Sequence, residues 1–124
     1  MILDKKQFSD LVITTIEQLP EKFKAKLNNL AIFVEDYPSQ EQLKKAKLRS
    51  GDGLFGLFEG YSQAKKLNFG PVLPDRITIF RQAILRHYSR PNNIRQAIIS
   101  TIKHEIAHHF GSDERGAAKA SREQ

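Results

Sequence analysis

Apolar positions recur along this chain with two different periods. Between residues 5 and 27, Phe8, Leu11, Val12, Thr15, Ile16 and Leu19 fall three or four apart, the spacing of one helix face. Pro20 is expected to interrupt that helix, because proline lacks a backbone donor and clashes with the preceding turn. Glu21–Leu27 then forms a second short segment. In residues 30–38, LAIFVEDYP, the run Ile32-Phe33-Val34 favours a strand that Pro38 closes. Ser39 reads as a helix N-cap, with Gln42 completing a capping box, and predicts a short helix over Glu41–Leu48.

Residues 50–60, SGDGLFGLFEG, interleave Leu54, Phe55, Leu57 and Phe58 with glycines. This predicts a turn and then a short strand, with glycine where another backbone comes close. No Gly-Lys-Ser/Thr ending follows, so the segment is not a phosphate loop. Pro71–Pro74 predicts a loop. Arg76–Leu85 predicts a strand, with Ile77 and Ile79 on one face and Phe80 and Ile84 on the other. Pro91-Asn92-Asn93 opens a long helix to about Phe110, which Gly111 stops. The order helix, strand, helix, strand, strand, helix predicts an α+β fold, a small sheet covered by helices.

Length and composition narrow the class. With 124 residues, 40% hydrophobic and 27% charged, the chain is expected to fold as one domain over 1–124, with about 115–124 as a loose tail. No apolar run approaches the ~18 residues of a membrane span. The start, MILDKKQFSD, carries charges where a signal peptide needs apolar residues, so a cytoplasmic protein with no membrane partner is expected. The absence of cysteine excludes disulfides, cysteine-ligated zinc, iron–sulfur clusters and thiol nucleophiles.

The net charge of +6 is uneven: residues 1–70 carry eleven Lys/Arg against nine Asp/Glu, and 71–124 carry nine against five. Arg76, Arg81, Arg86, Arg90 and Arg95 make the denser patch. No RNP-like run, zinc finger or helix-turn-helix accompanies it, so the patch reads as a solvated face and nucleic acid is not expected as a partner. A monomer is expected.

The last helix carries His104-Glu105-Ile106-Ala107-His108, a full H-E-x-x-H. Residues four apart share a helix face, so His104 and His108 can present two ring nitrogens to one metal. Glu105 is placed to take a proton from water activated by that metal. Projection at ~100° per residue puts Ile94, Ile98, Ile102 and Ile106 in one apolar band, with Gln96, Ser100, Lys103 and Ala107 on the wettable side. His104 and His108 sit beside the band and Glu105 nearer its middle, so all three are expected to face the protein body. A catalytic zinc needs a third protein ligand and an open position. Gly111 can turn the chain back so that Glu114, six residues after His108, or Asp113 reaches the metal. Glu123 lies too near the end of the chain. His109 is expected to pack in the core rather than bind metal, and His87 has no assigned role. Histidine and carboxylate suit zinc, but also manganese, iron or cobalt.

The stretch TIKHEIAHHFGSDE resembles the signature H-E-x-x-H-x-x-G-x-x-D of the small bacterial zincin-like metallopeptidases, the minimal zincins. FSDLVITTIEQLPEKF, AIFVEDYPS, GLFGLFEGYS and LPDRITIFRQAI resemble the same family, in order, from about Phe8 to Glu114. The resemblance implies a short mixed sheet packed on an active-site helix near the C-terminus. It also implies a protease or related hydrolase that acts on peptides or proteins. The chain departs from the family pattern in carrying Glu114 at the position of the final aspartate, and Met1 is its only methionine, so it lacks the methionine turn of metzincins.

The first reading is therefore a zinc metallopeptidase in which His104, His108 and Glu114, or Asp113, hold zinc and Glu105 is the general base. The substrate would extend along an edge strand near Gly53–Gly60 or Arg76–Phe80. Tyr61, Tyr88 and Arg76 are candidates to assist the oxyanion. A second reading is a catalytically weak zincin-shaped module that binds nucleic acid or an acidic partner through its arginines. A third is a closed structural metal site.

Overall fold

The computed structural model describes residues 3–28, 30–60 and 75–111, the last three of these as backbone only. The first helical segment divides at Pro20 as expected, into α1 (Lys5–Glu17) and α2 (Glu21–Lys26). Asp4 caps α1 in a reciprocal box with Gln7, a signal present in the sequence but not read there. Strand β1 (Leu30–Glu35) follows, then α3 (Gln40–Ala46), whose Ser39–Gln42 capping box forms as expected. Strands β2 (Gly56–Glu59) and β3 (Asp75–Phe80) complete a three-stranded sheet. Helices α4 (Arg81–His87) and α5 (Pro91–Gly111) end the described chain. The protein is α+β, and its last helix lies near the C-terminus.

The sheet order is β1-β3-β2. β3 runs parallel to β1, pairing Leu30 with Asp75 through Glu35 with Phe80, and antiparallel to β2, pairing Gly56 with Ile79 and Glu59 with Arg76. The sheet is therefore mixed. β3 is its central strand, so Arg76–Phe80 is not an edge, and among the described residues only β1 and β2 are.

The expected strand over Arg76–Leu85 is corrected by the same feature. It ends at Phe80, and Arg81–His87 is helix. A central strand is covered on both faces, so Ile77, Thr78, Ile79 and Phe80 are all fully buried and no inside–outside alternation marks where the strand stops. The switch is fixed from outside β3. Arg81 Nε donates to Asp36 Oδ1 at 2.7 Å, and the Gln82 amide donates to Asp36 O at 3.2 Å, just past the end of β1.

The core lies between the sheet, α1 and α5. Ile94, Ile98, Ile102 and Ile106 form the expected band along α5, each at most 1% exposed. They pack with Phe8 and Val12 of α1 and with Ile77 and Ile79 of β3. Such side chains are each worth ~1.5–3 kcal/mol of burial, and this holds α5 in register. The buried arc is wider than the projection predicted, because α5 packs on β2, β3, α1 and α4: Ala107, placed on the wettable side, is buried. No helix among the described residues is long and apolar enough to cross a membrane.

Candidate metal centre

The deep half of α5 fixes the orientation of its second half. With the isoleucine band buried, residues 104, 105 and 108 come to the margin of the core where α5 meets β2. Ligand atoms of His104, Glu105 and His108 all lie within 4.8 Å of one another. The two histidines bring their Nε2 atoms to 3.0 Å, with the rings edge-on. Two imidazole nitrogens at that separation fit one zinc held about 2.0–2.1 Å from each, so the donor set suits the ion that the motif implies.

The three side chains do not share one environment. Glu105 is buried, at 8% exposure, and points inward as expected. His104 is half-buried and His108 is exposed, so the expectation that both histidines face the protein body is corrected. The helix turns about 100° per residue, and a carboxylate near the middle of the band leaves its i−1 and i+3 neighbours at the rim. That placement leaves the two histidines, which could hold a metal, at the outer edge of the core.

Burial pushes the Glu105 carboxyl above the usual carboxylate range, opposed by a hydrogen bond from the Phe58 amide and by the nearby His108. The Phe58 bond is 2.6 Å and joins α5 to β2. Burial lowers the proton affinity of His104, and the neighbouring His108 lowers it further. A neutral imidazole is the form that binds a metal.

Asp113 and Glu114, the expected third ligands, lie outside the described residues, as do Tyr61 and the side chain of His109. Arg76 does not join the site: its guanidinium reaches Glu59 at 3.3 Å and stacks on Phe33. Two further arginines of the basic patch, Arg81 and Arg86, are likewise engaged. Arg81 binds Asp36 and the Leu3 carbonyl, and Arg86 binds Asp52. Residues clustered in sequence are thus divided among separate carboxylates.

Three contributors escaped the sequence reading. Phe58 supplies the amide that holds Glu105. His87 places its ring 5.3 Å from that of Phe55, while its Nδ1 lies 2.9 Å from Ala83 O. Phe55 in turn walls a cleft beside His104 and Glu105. No local pattern marks these residues, because each acts across the tertiary fold.

A family model described as zincin-like metallopeptidase matches residues 27–121, a span that holds β1, the glycine-rich segment and the whole of the H-E-x-x-H helix. No curated protein matches the chain.

Proposed function

The chain belongs to the zincin-like metallopeptidase family, and on that premise we propose that it is a zinc-dependent metallopeptidase formed by one unit over 1–124. The observation that carries the reading is the convergence of His104, Glu105 and His108 within 4.8 Å, with the carboxylate turned inward and the two imidazoles toward the opening. His104 and His108 would hold zinc, with Glu114 as third ligand and Asp113 as its rival. When bound, zinc supplies a Lewis acid that polarises the scissile carbonyl and acidifies water.

The remaining steps fall to the chain itself. Glu105 accepts the proton of the attacking water and passes it to the departing amine, while the peptide C–N bond breaks. Its carboxylate is steadied for this exchange by the Phe58 amide. The substrate lies extended beside β2, the edge strand that adjoins α5, by strand addition. This retains the Gly53–Gly60 segment as the substrate platform.

The test is cleavage of a mixture of peptides of varied sequence by the zinc-loaded protein, read by mass spectrometry, with Glu105→Gln alongside. New peptide termini are expected with the wild type, and at least about 100-fold fewer with the variant. No cleavage by the wild type, or equal cleavage by both, would overturn the reading.

A further inference from the structure

A cleft opens directly beside His104 and Glu105. Its volume is about 390 Å³, and it is walled by Gly53–Gly56 on one side and by Ser100 and Thr101 of α5 on the other. Ser100 and Thr101 stand four residues before His104 and Glu105, on the same helix face one turn back. A second cavity of about 190 Å³ shares Phe55, Ser100 and Thr101 with the first and continues along α5 to Ala97, Gln96 and Asn93. The two make one trough that begins at the candidate metal site. A group whose carbonyl sits at the metal has its neighbouring side chain within reach of the larger cavity.

The lining favours one kind of occupant. Thr101 Oγ1 donates to Ala97 O at 2.7 Å, so the hydroxyl is turned back onto its own helix, and the Thr101 methyl faces Gly56. Phe55 is braced edge-on by His87 at 5.3 Å and by Tyr88 at 6.0 Å. Leu54 adds a second apolar wall. Among the described lining residues, Glu105 is the one carboxylate, and it accepts from the Phe58 amide; no lysine or arginine joins it. An anionic side chain entering here finds no lysine or arginine among the described lining residues, and a cationic one finds only the Glu105 carboxylate already engaged by the Phe58 amide, so either gives up water against Phe55, Leu54 and a methyl with little return. An apolar side chain leaves water at a gain.

We propose that this cleft is the specificity pocket of the site and receives an apolar side chain of the substrate next to the scissile bond. The word substrate rests on the metallopeptidase reading, but the preference of the cleft belongs equally to the metal-free protein. The full chain without metal is therefore titrated with N-acetyl-leucine amide, N-acetyl-aspartate amide and N-acetyl-lysine amide, following the backbone amide resonances of Gly53, Gly56 and Thr101. The leucine compound is expected to shift these resonances saturably, with a Kd at least about tenfold lower than either charged compound.

Gly53→Phe supplies an independent check. A Cβ at Gly53 meets nothing within 4 Å, and Gly53 lines the cleft, so a phenylalanine there is accommodated and is expected to narrow the cleft. Leucine amide binding should weaken about tenfold, with the circular dichroism unchanged. Equal affinity for the three compounds, or shifts confined to residues away from the cleft, would overturn the proposal even without the variant, and so would unchanged binding by a folded Gly53→Phe. Leucine-selective binding in a protein that cleaves no peptide would overturn the peptidase reading and leave the pocket standing. Cleavage without discrimination among side chains would do the reverse.

Discussion

The carboxylate of Glu105 accepts a 2.6 Å hydrogen bond from the backbone amide of Phe58, 47 residues earlier in the chain. One side chain thus ties the H-E-x-x-H helix to the edge strand beside it. The candidate base sits a single bond from the backbone that would align a substrate. Its hold on β2 and its proposed exchange of a proton separate in different variants.

Glu105→Gln keeps an oxygen where the Phe58 amide points, while Glu105→Ala removes it. At a position only 8% exposed, loss of an acceptor costs about 1–3 kcal/mol. In urea denaturation of the metal-free proteins, the alanine variant should be less stable than the glutamine variant by about that amount. Equal stability would show that the bond does not hold the strand.

Glu59, at the far end of β2, predicts a pH dependence. Gln42 Nε2 donates to it at 2.9 Å, Lys45 Nζ at 2.7 Å, and the Arg76 guanidinium lies 3.3 Å away. Burial alone would raise its proton affinity, but these donors outweigh burial and hold the carboxyl below its ordinary value of 4.5. A carboxyl with a lower pKa in the folded than in the unfolded state stabilises the fold above the unfolded value, and the benefit is lost as pH falls through the folded one. Glu59→Gln should therefore be less stable by about 1–3 kcal/mol at pH 7. The gap between the two melting temperatures should close as the pH falls below 4.5. A gap that stays constant with pH would contradict this.

Gly56 lets β2 lie against α5. A Cβ there would clash with the Thr101 methyl and come within 3.1 Å of Thr78 O. Gly56→Ala should cost about 1–3 kcal/mol through overpacking. Thr101→Ser removes the methyl and keeps the hydroxyl that bonds Ala97 O. The double variant should recover part of the loss, with a coupling of about 0.5 kcal/mol or more in a thermal-denaturation cycle. Strict additivity would place the clash elsewhere.

Much of this arrangement was legible in the sequence for a physical reason. The four isoleucines of α5 repeat on one face, and a helix with one buried face writes that face into its spacing, so the inward placement of Glu105 followed. Ser39 and Gln42 carried their capping box within four residues, and Pro20 marked a break by its chemistry alone. The boundary at Phe80 was not legible, because β3 is buried on both faces and its last residues read like the first turn of α4. The extra buried arc at Ala107 depends on what packs against α5, and the Glu105–Phe58 bond on a contact between distant segments. The exposed position of His108 depends on which neighbouring elements cover that flank of α5. The family resemblance holds over residues 27–121, which take in four of the five sequence blocks and leave the one at 8–23 outside the match, and the mixed sheet it implied is present.

The central claim is that His104 and His108 hold a zinc ion. Its most direct test is elemental analysis of zinc per chain, after zinc loading and buffer exchange, for the wild type beside His104→Ala. About one zinc per wild-type chain and none in the variant are expected, since loss of one of the few ligands removes most of the affinity. An absence of zinc from the wild type, or an equal content in both, would contradict that claim.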